Sequence, residues 1–177
     1  MTFSNPFGDD RRSQSAYVQA LLALLGERDP FDVHAELIGW LERRLRGVPD
    51  AALRRPEAPG KWSAIEVVQH LADAEIVSGF RTRMMLGQDD PPITGYDQDA
   101  WARRMRYADA DPAIAMAQLG ALRTANLRLW RSLHSAQLAR VGQHSERGPE
   151  SVSQLLRLIA AHDLVHRRQL ERILAAA

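Results

Sequence analysis

Apolar residues recur along most of this chain at the three-and-four spacing of a helix, and no run shows the strict alternation of a half-buried strand. From Ser15 to Leu25, the positions Tyr17, Val18, Leu21, Leu22, Leu24 and Leu25 predict a short apolar helix closed by Gly26. After Asp29-Pro30 a second helix is predicted from about 31 to 46. Val33, Leu37, Trp40, Leu41 and Leu45 form its inner face, and Glu42, Arg43, Arg44 and Arg46 its solvated side. A proline-bearing connector (49–59) leads to Ser63-Ala64-Ile65-Glu66. Serine at the N-cap with glutamate three residues on is the capping-box pattern, and it opens a helix running to about Leu86.

The stretch from Gly87 to Asp111 carries little periodicity beyond a short helix predicted at 97–104. A connection of that length in a small domain is expected to fold over something, as a lid or a partner contact. Asp111-Pro112 reads as an N-cap followed by proline in the first turn, and predicts a helix to about Leu138. Residues 140–149 are expected to be a loop and 151–176 the last long helix, while residues 1–14 read as an irregular lead-in. Four long helices, with short extra ones at the N-terminus and in the long connection, predict an all-α four-helix bundle forming a single domain over residues 1–177.

Composition narrows the chemistry. With 177 residues, 45% of them hydrophobic, the chain has enough interior for one core. Twenty-three basic residues against 22 acidic ones give a net charge of +1 without clustering, so neither nucleic acid nor an anionic membrane is an expected partner. There is no cysteine, which removes disulfides, thiolate ligands and cysteine nucleophiles, and Lys61 is the only lysine. No stretch approaches the ~18 apolar residues of a membrane span, and no leader pattern is present at Met1–Asp10. A cytoplasmic location is therefore expected.

Against that background the segment Ala161-His162-Asp163-Leu164-Val165-His166-Arg167-Arg168-Gln169 stands out. On a helix, His162 and His166 leave the same face one turn apart, and they lie within the apolar stripe of Leu155, Ile159, Leu170 and Ile173. Buried imidazoles need partners, and a shared cation satisfies both. His70 lies on the apolar stripe of its own helix with Val67, Ala74, Val77 and Met84, and is the expected third ligand.

The other histidines have blander expectations. His34 reads as a surface or capping residue, His134 as structural, and His144 as exposed or as a hydrogen-bond partner to a ligand. Glu66, one turn before His70, and Asp73, three residues after it, are candidate general bases or acceptors from a ligand imidazole. Trp62, Arg123, Asn126 and His144 are candidate substrate-pocket residues, and Asp163 is expected to bridge to another helix.

Gly60-Lys61-Trp62-Ser63, His70-Leu71-Ala72-Asp73-Ala74-Glu75, Arg140-Val141-Gly142-Gln143-His144 and the segment from Ala161 to Gln169, in that order and at those distances, resemble the DinB/YfiT-like superfamily. The resemblance spans roughly Trp40 to Ile173. It implies an up-down-down-up bundle with the long connection as crossover, and a divalent metal, zinc or nickel, on His70, His162 and His166. Homodimers are frequent in the family. Its characterised branches include transferases that use low-molecular-weight thiols, and many members are described no further than as metal-dependent hydrolases.

Three neutral nitrogen ligands leave a coordination position open, as a catalytic site requires. The first expectation is activation of a small thiol for S-transfer to an electrophilic small-molecule substrate. The alternatives are hydrolysis by a metal-bound hydroxide and a metal-stabilised binding or sensing module without turnover.

Overall fold

The computed structural model describes residues 11–175, with side chains from Ala16 onward. Four helices form the bundle: α2 (Pro30–Leu45), α4 (Ala64–Gly87), α6 (Pro112–Arg131) and α8 (Val152–Ala175). Around them lie α1 (Arg11–Leu25), the single turns α3 (Asp50–Leu53) and α7 (Ser135–Leu138), and α5 (Gln98–Arg104) in the crossover. Helix α1 begins at Arg11 and not at Ser15, so the expected irregular lead-in is helical over residues 11–14. The rest of that expectation, residues 1–10, lies outside the described residues.

Local signals set the helix ends. Asp29 and Asp111 each cap a proline-initiated helix by accepting from free backbone amides, Phe31 N at 2.7 Å and Ala113 N at 2.8 Å. Glu66 accepts from Ser63 N and Oγ, both at 2.8 Å, completing one side of the capping box that opens α4.

Pairings along the helices give their directions. His34 meets Asp163, Glu36 meets Arg167 and Arg44 meets Glu171, so α2 and α8 run parallel. Gln69 with Gln118, Glu75 with Arg123 and Thr82 with Trp130 make α4 and α6 parallel. His70 faces His162 at one end while Met85 and Val152 share a core cluster at the other, so α4 and α8 are antiparallel. The result is the up-down-down-up arrangement, with α2 and α4 on opposite corners. Helix α1 packs outside α8 through Leu21, Leu25, Leu158 and Leu164.

Two connections depart from expectation. Residues 140–149 are not a plain loop: β2 (Val141–His144) and β3 (Gly148–Ser151) form an antiparallel hairpin, and β1 (Pro92–Ile93) adds to β2 in parallel. Gly142 makes this possible, because a Cβ there would come within 2.8 Å of Ile93 Cγ1 and 3.0 Å of Met85 Cγ. The helix predicted to run to Leu138 ends at Arg131, and α7 follows with His134 at its N-cap. In the crossover, buried Tyr107 donates its hydroxyl to Asp73 on α4, so that segment is packed against the bundle.

One buried ionic network joins all four bundle helices. Arg123 on α6 donates to Asp163 on α8 through Nη1 (2.6 Å) and Nη2 (3.0 Å), and its Nη2 lies 2.9 Å from Glu75 Oε1 on α4. His34 on α2 places Nδ1 2.8 Å from Arg123 Nη1 and 3.1 Å from Asp163 Oδ2, and its Nε2 donates to Leu156 O at 3.2 Å. Asn126 Nδ2 donates to Glu75 Oε2 at 2.9 Å. His34 is thus fully buried rather than a surface or capping residue, and Asp163 is the interhelical bridge expected of it. Arg123 and Asn126 are members of this network and are not among the residues lining the cavity at His162.

Burial pushes the Asp163 carboxyl up, but the Arg123 charge and hydrogen bonds, with His34 beside them, outweigh it and hold it far below the usual range. Glu75 is raised by burial, with Arg123 opposing. Arg123→Met leaves two buried carboxylates without their counter-ion. Urea denaturation is expected to register a loss of about 3–5 kcal/mol.

Candidate metal centre

Helices α4 and α8 carry the site. His70 lies six residues into α4, on the side turned toward α8. His162 and His166, one turn apart, project from α8 toward it. His162 Nε2 is 3.0 Å from His70 Nε2 and 3.0 Å from His166 Nε2, and the three candidate ligand atoms lie within 4.8 Å of one another. His70 and His166 are buried, with 1% and 0% exposure, and His162 is only partly so.

The chemistry of this donor set fits a divalent cation. His166 Nδ1 lies 2.8 Å from Gln169 Oε1, an acceptor, so that nitrogen carries the proton and Nε2 presents a lone pair. A hydrogen on one Nε2 can align with only one of the two 3.0 Å contacts, and the other then brings nitrogen against nitrogen with nothing between. A cation shared by the three removes that conflict. Tetrahedral coordination at ~2.0–2.1 Å would set the nitrogens about 3.3 Å apart, close to the 3.0 Å of the two pairs that His162 makes.

The rings are also held in the ligating protonation state. Burial first, and then the neighbouring imidazoles, keep His70 and His166 well below the ordinary histidine pKa, and burial lowers His162 to about 4. All three are neutral at pH 7, the form that binds metal.

Trp62 packs its ring against this cluster, with centroids 4.9 Å from His70 and, stacked, 6.4 Å from His166. It serves as an apolar wall. The candidate carboxylates are engaged elsewhere. Glu66 is taken up by Ser63. Asp73 accepts from Gln69 Nε2 at 3.2 Å and from the Tyr107 hydroxyl, and faces a depression beside Met105 and Asp111. Neither accepts a hydrogen bond from a histidine of the cluster. His144 is not exposed. It is 3% accessible on β2, its Nδ1 accepts from Glu146 N (3.2 Å) and Arg147 N (3.4 Å), and it makes no contact with the cluster.

The open side of the cluster lies at His162. That residue lines a cavity of about 170 Å³ between α1, α4 and α8, closed by Tyr96 and Gln98 of the crossover and by Arg147 of the hairpin. Tyr17, Ser78, Arg81, Tyr96, Gln98 and Arg147 add polar groups to that of His162, and sequence spacing marks none of those outside α4. The one available signal is that Ala74, Val77, Ser78 and Arg81 continue the His70 stripe of α4 at helical intervals.

Fold and site together define an up-down-down-up four-helix bundle with a three-imidazole centre suited to a metal. The family model of the DinB superfamily matches residues 39–170, and the chain belongs to that superfamily. It is 31% identical over 111 residues to the Bacillus subtilis protein named "Putative metal-dependent hydrolase YfiT", covering 63% of this chain and 62% of the relative. It is 27% identical over 107 residues to an Oceanobacillus iheyensis protein of the same description, covering 60% and 62%. The chain thus spans under two thirds of the length of these curated relatives. The solved structure of the Bacillus subtilis YfiT protein superposes with a TM-score of 0.76 at 27% identity, over 81% of this chain and 83% of that one. It is described as "a probable metal-dependent hydrolase with an unusual four-helix bundle topology".

Metal-free protein titrated with Zn²⁺ or Ni²⁺ is expected to take up a single ion per chain. The gain in stability should be about 2.7 kcal/mol when free ion is about a hundredfold above Kd. His70→Ala, His162→Ala and His166→Ala should each abolish that gain, as read by melting and by metal content. In the metal-free protein, a falling pH protonates these histidines first in the unfolded chain, at about 6.5, while the folded His162 resists to about 4. The unfolded state therefore binds more protons across this window, and stability is expected to fall as pH drops through it. Urea midpoints across that range measure the effect.

Proposed function

We propose that the chain is a metal-dependent hydrolase acting on a small molecule, with zinc or nickel as its ion. The observation that carries the proposal is the convergence of three neutral Nε2 atoms, two on buried rings and the third, His162, on the wall of a cavity. A divalent ion held by His70, His162 and His166 supplies Lewis acidity and makes water a nucleophile near neutral pH. Imidazole donors suit both zinc and nickel.

The chain's own residues do the rest. Gln169 fixes the His166 ring and its tautomer, and Trp62 keeps water from the closed side of the cluster. Cavity residues from α1, α4 and α8 hold the substrate against His162. No carboxylate lines that cavity among the described residues, so the roles sketched for Glu66 and Asp73 as general bases are not carried forward. In the overall reaction water adds across the scissile bond, its hydroxyl to the electrophilic centre and its proton to the leaving group.

The first-ranked expectation, thiol S-transfer, draws no support from the relatives' descriptions, which favour hydrolysis. No helix among the described residues is long and apolar enough to cross a membrane.

Metal-loaded protein should cleave members of a panel of p-nitrophenyl esters and anilides. A chelator should abolish turnover and Zn²⁺ or Ni²⁺ restore it, and His162→Ala should lower kcat/KM by about a hundredfold or more. Metal-replete protein that leaves the panel intact but consumes a small thiol with an electrophile would reassign the reaction to S-transfer.

A further inference from the structure

The far end of the cavity differs in character from its histidine end. Ala74, Val77 and Ser78 carry the wall along α4 from His70, and Leu155, Leu158 and Ile159 carry it along α8 from His162, so the middle is largely apolar. Arg81 closes it, eleven residues beyond His70 and about 16 Å along the helix axis. Side chains on a helix lean toward its N-terminus, so the Arg81 guanidinium is carried back toward the histidines.

Arg81 makes no ion pair among the described residues, and Glu150 and Glu146 attract it only from a longer distance. It is half-buried, donates through Nη2 to Thr94 O at 2.7 Å, and lies 6.0 Å from the centroid of the Tyr96 ring. No carboxylate comes within ion-pair distance of it among the described residues. Arg147, beside it, is already matched by a bidentate pair with buried Glu150, Nε to Oε2 at 2.7 Å and Nη2 to Oε1 at 2.9 Å. Glu146 is exposed over Gly95 and pairs with neither arginine. Burial, and then the like charge of Arg147, pull the Arg81 pKa below its ordinary value, and the more distant carboxylates of Glu150 and Glu146 offset this only in part. A second donor in the same wall is also unmet: the side-chain nitrogen Nε2 of Gln98 is buried with no acceptor. By contrast, Arg123 with Asp163 and Arg147 with Glu150 answer one another's charge directly.

We propose that this end of the cavity binds an anionic group of the substrate, with Arg81 as its counter-ion and Gln98 as an additional donor. The ligand is then an elongated small molecule with an acidic group at one end and an apolar stretch between that group and the bond at His162. Only the assignment of that bond rests on the hydrolytic reading. The anion site stands on its own residues.

The test is made on metal-free protein, so that no carboxylate can be held by an ion at the histidines. Calorimetric titration with hexanoate and with neutral hexanamide should show binding of the carboxylate only. Arg81→Gln should weaken hexanoate by about tenfold or more while keeping the wild-type Zn²⁺ stoichiometry. His162→Ala should keep hexanoate binding while losing the ion. Equal binding of hexanoate and hexanamide, no binding of hexanoate, or full affinity in Arg81→Gln overturns the proposal. Unchanged metal content in His162→Ala overturns the metal reading instead. Should Arg81→Gln fail to fold, the carboxylate-against-amide comparison on wild-type protein decides.

Discussion

The interaction on which the rest of this structure depends is the buried pairing of Arg123 with Asp163 and Glu75, with His34 packed against it. Apolar stripes alone bring helices together with some freedom to slide and rotate, since many hydrophobic arrangements have similar energies. A guanidinium shared between two carboxylates from different helices has far less freedom, because any slip strands a charge in the core. Asp163 immediately follows His162 in α8. Directing Asp163 at Arg123 therefore fixes the rotation of α8, and with it the direction in which His162 and His166 leave the helix. The imidazoles face His70 because the carboxylate beside them faces Arg123.

The same low-dielectric interior sets the chemistry of the centre. Burial keeps the three rings unprotonated, and Gln169 selects the tautomer that turns a lone pair inward at His166. Nothing in the helical backbone needs these rings at the core. Leucine at each position would continue the stripes and remove the conflict between the Nε2 atoms, so the donor set costs stability in the absence of a cation. A bundle that carries this cost at its centre, with one flank open to a cavity, is arranged for a guest.

Much of this was legible in the residues. The helices announced themselves through period, through Asp-Pro starts at Asp29 and Asp111 and through the Ser63–Glu66 box. The His162/His166 spacing on an apolar face pointed to the centre. What stayed hidden depends on contacts across the fold. The β2 segment, Val141-Gly142-Gln143-His144, turns a glycine and a histidine inward and a valine outward, so it shows no strand alternation. Its strand character comes from pairing with Pro92–Ile93 and with its own hairpin partner. His34 looked like a first-turn surface residue because its partners lie 89 and 129 positions away. Glu66 and Asp73 looked available beside His70 for the same reason: periodicity gives the face of a side chain but not what already occupies it.

Arginines 81 and 123 make that distinction concrete. Both sit on bundle helices and in the sequence they are equivalent, though Arg123 is buried and Arg81 half-buried. Arg123 has its charge answered from α4 and α8 and is part of the scaffold. Arg81 lies on the same stripe as His70, meets a carbonyl and an aromatic face, and makes no ion pair among the described residues. Arg81 is thus left without an ion pair at the far end of the cavity that begins at His162. Desolvating a cation is unfavourable until an anion arrives, so the energy withheld at Arg81 in the free protein is recovered on binding, and it favours acidic ligands over neutral ones of the same shape. Selectivity at one end of the cavity and reactivity at the other are thereby separated along a single face of α4.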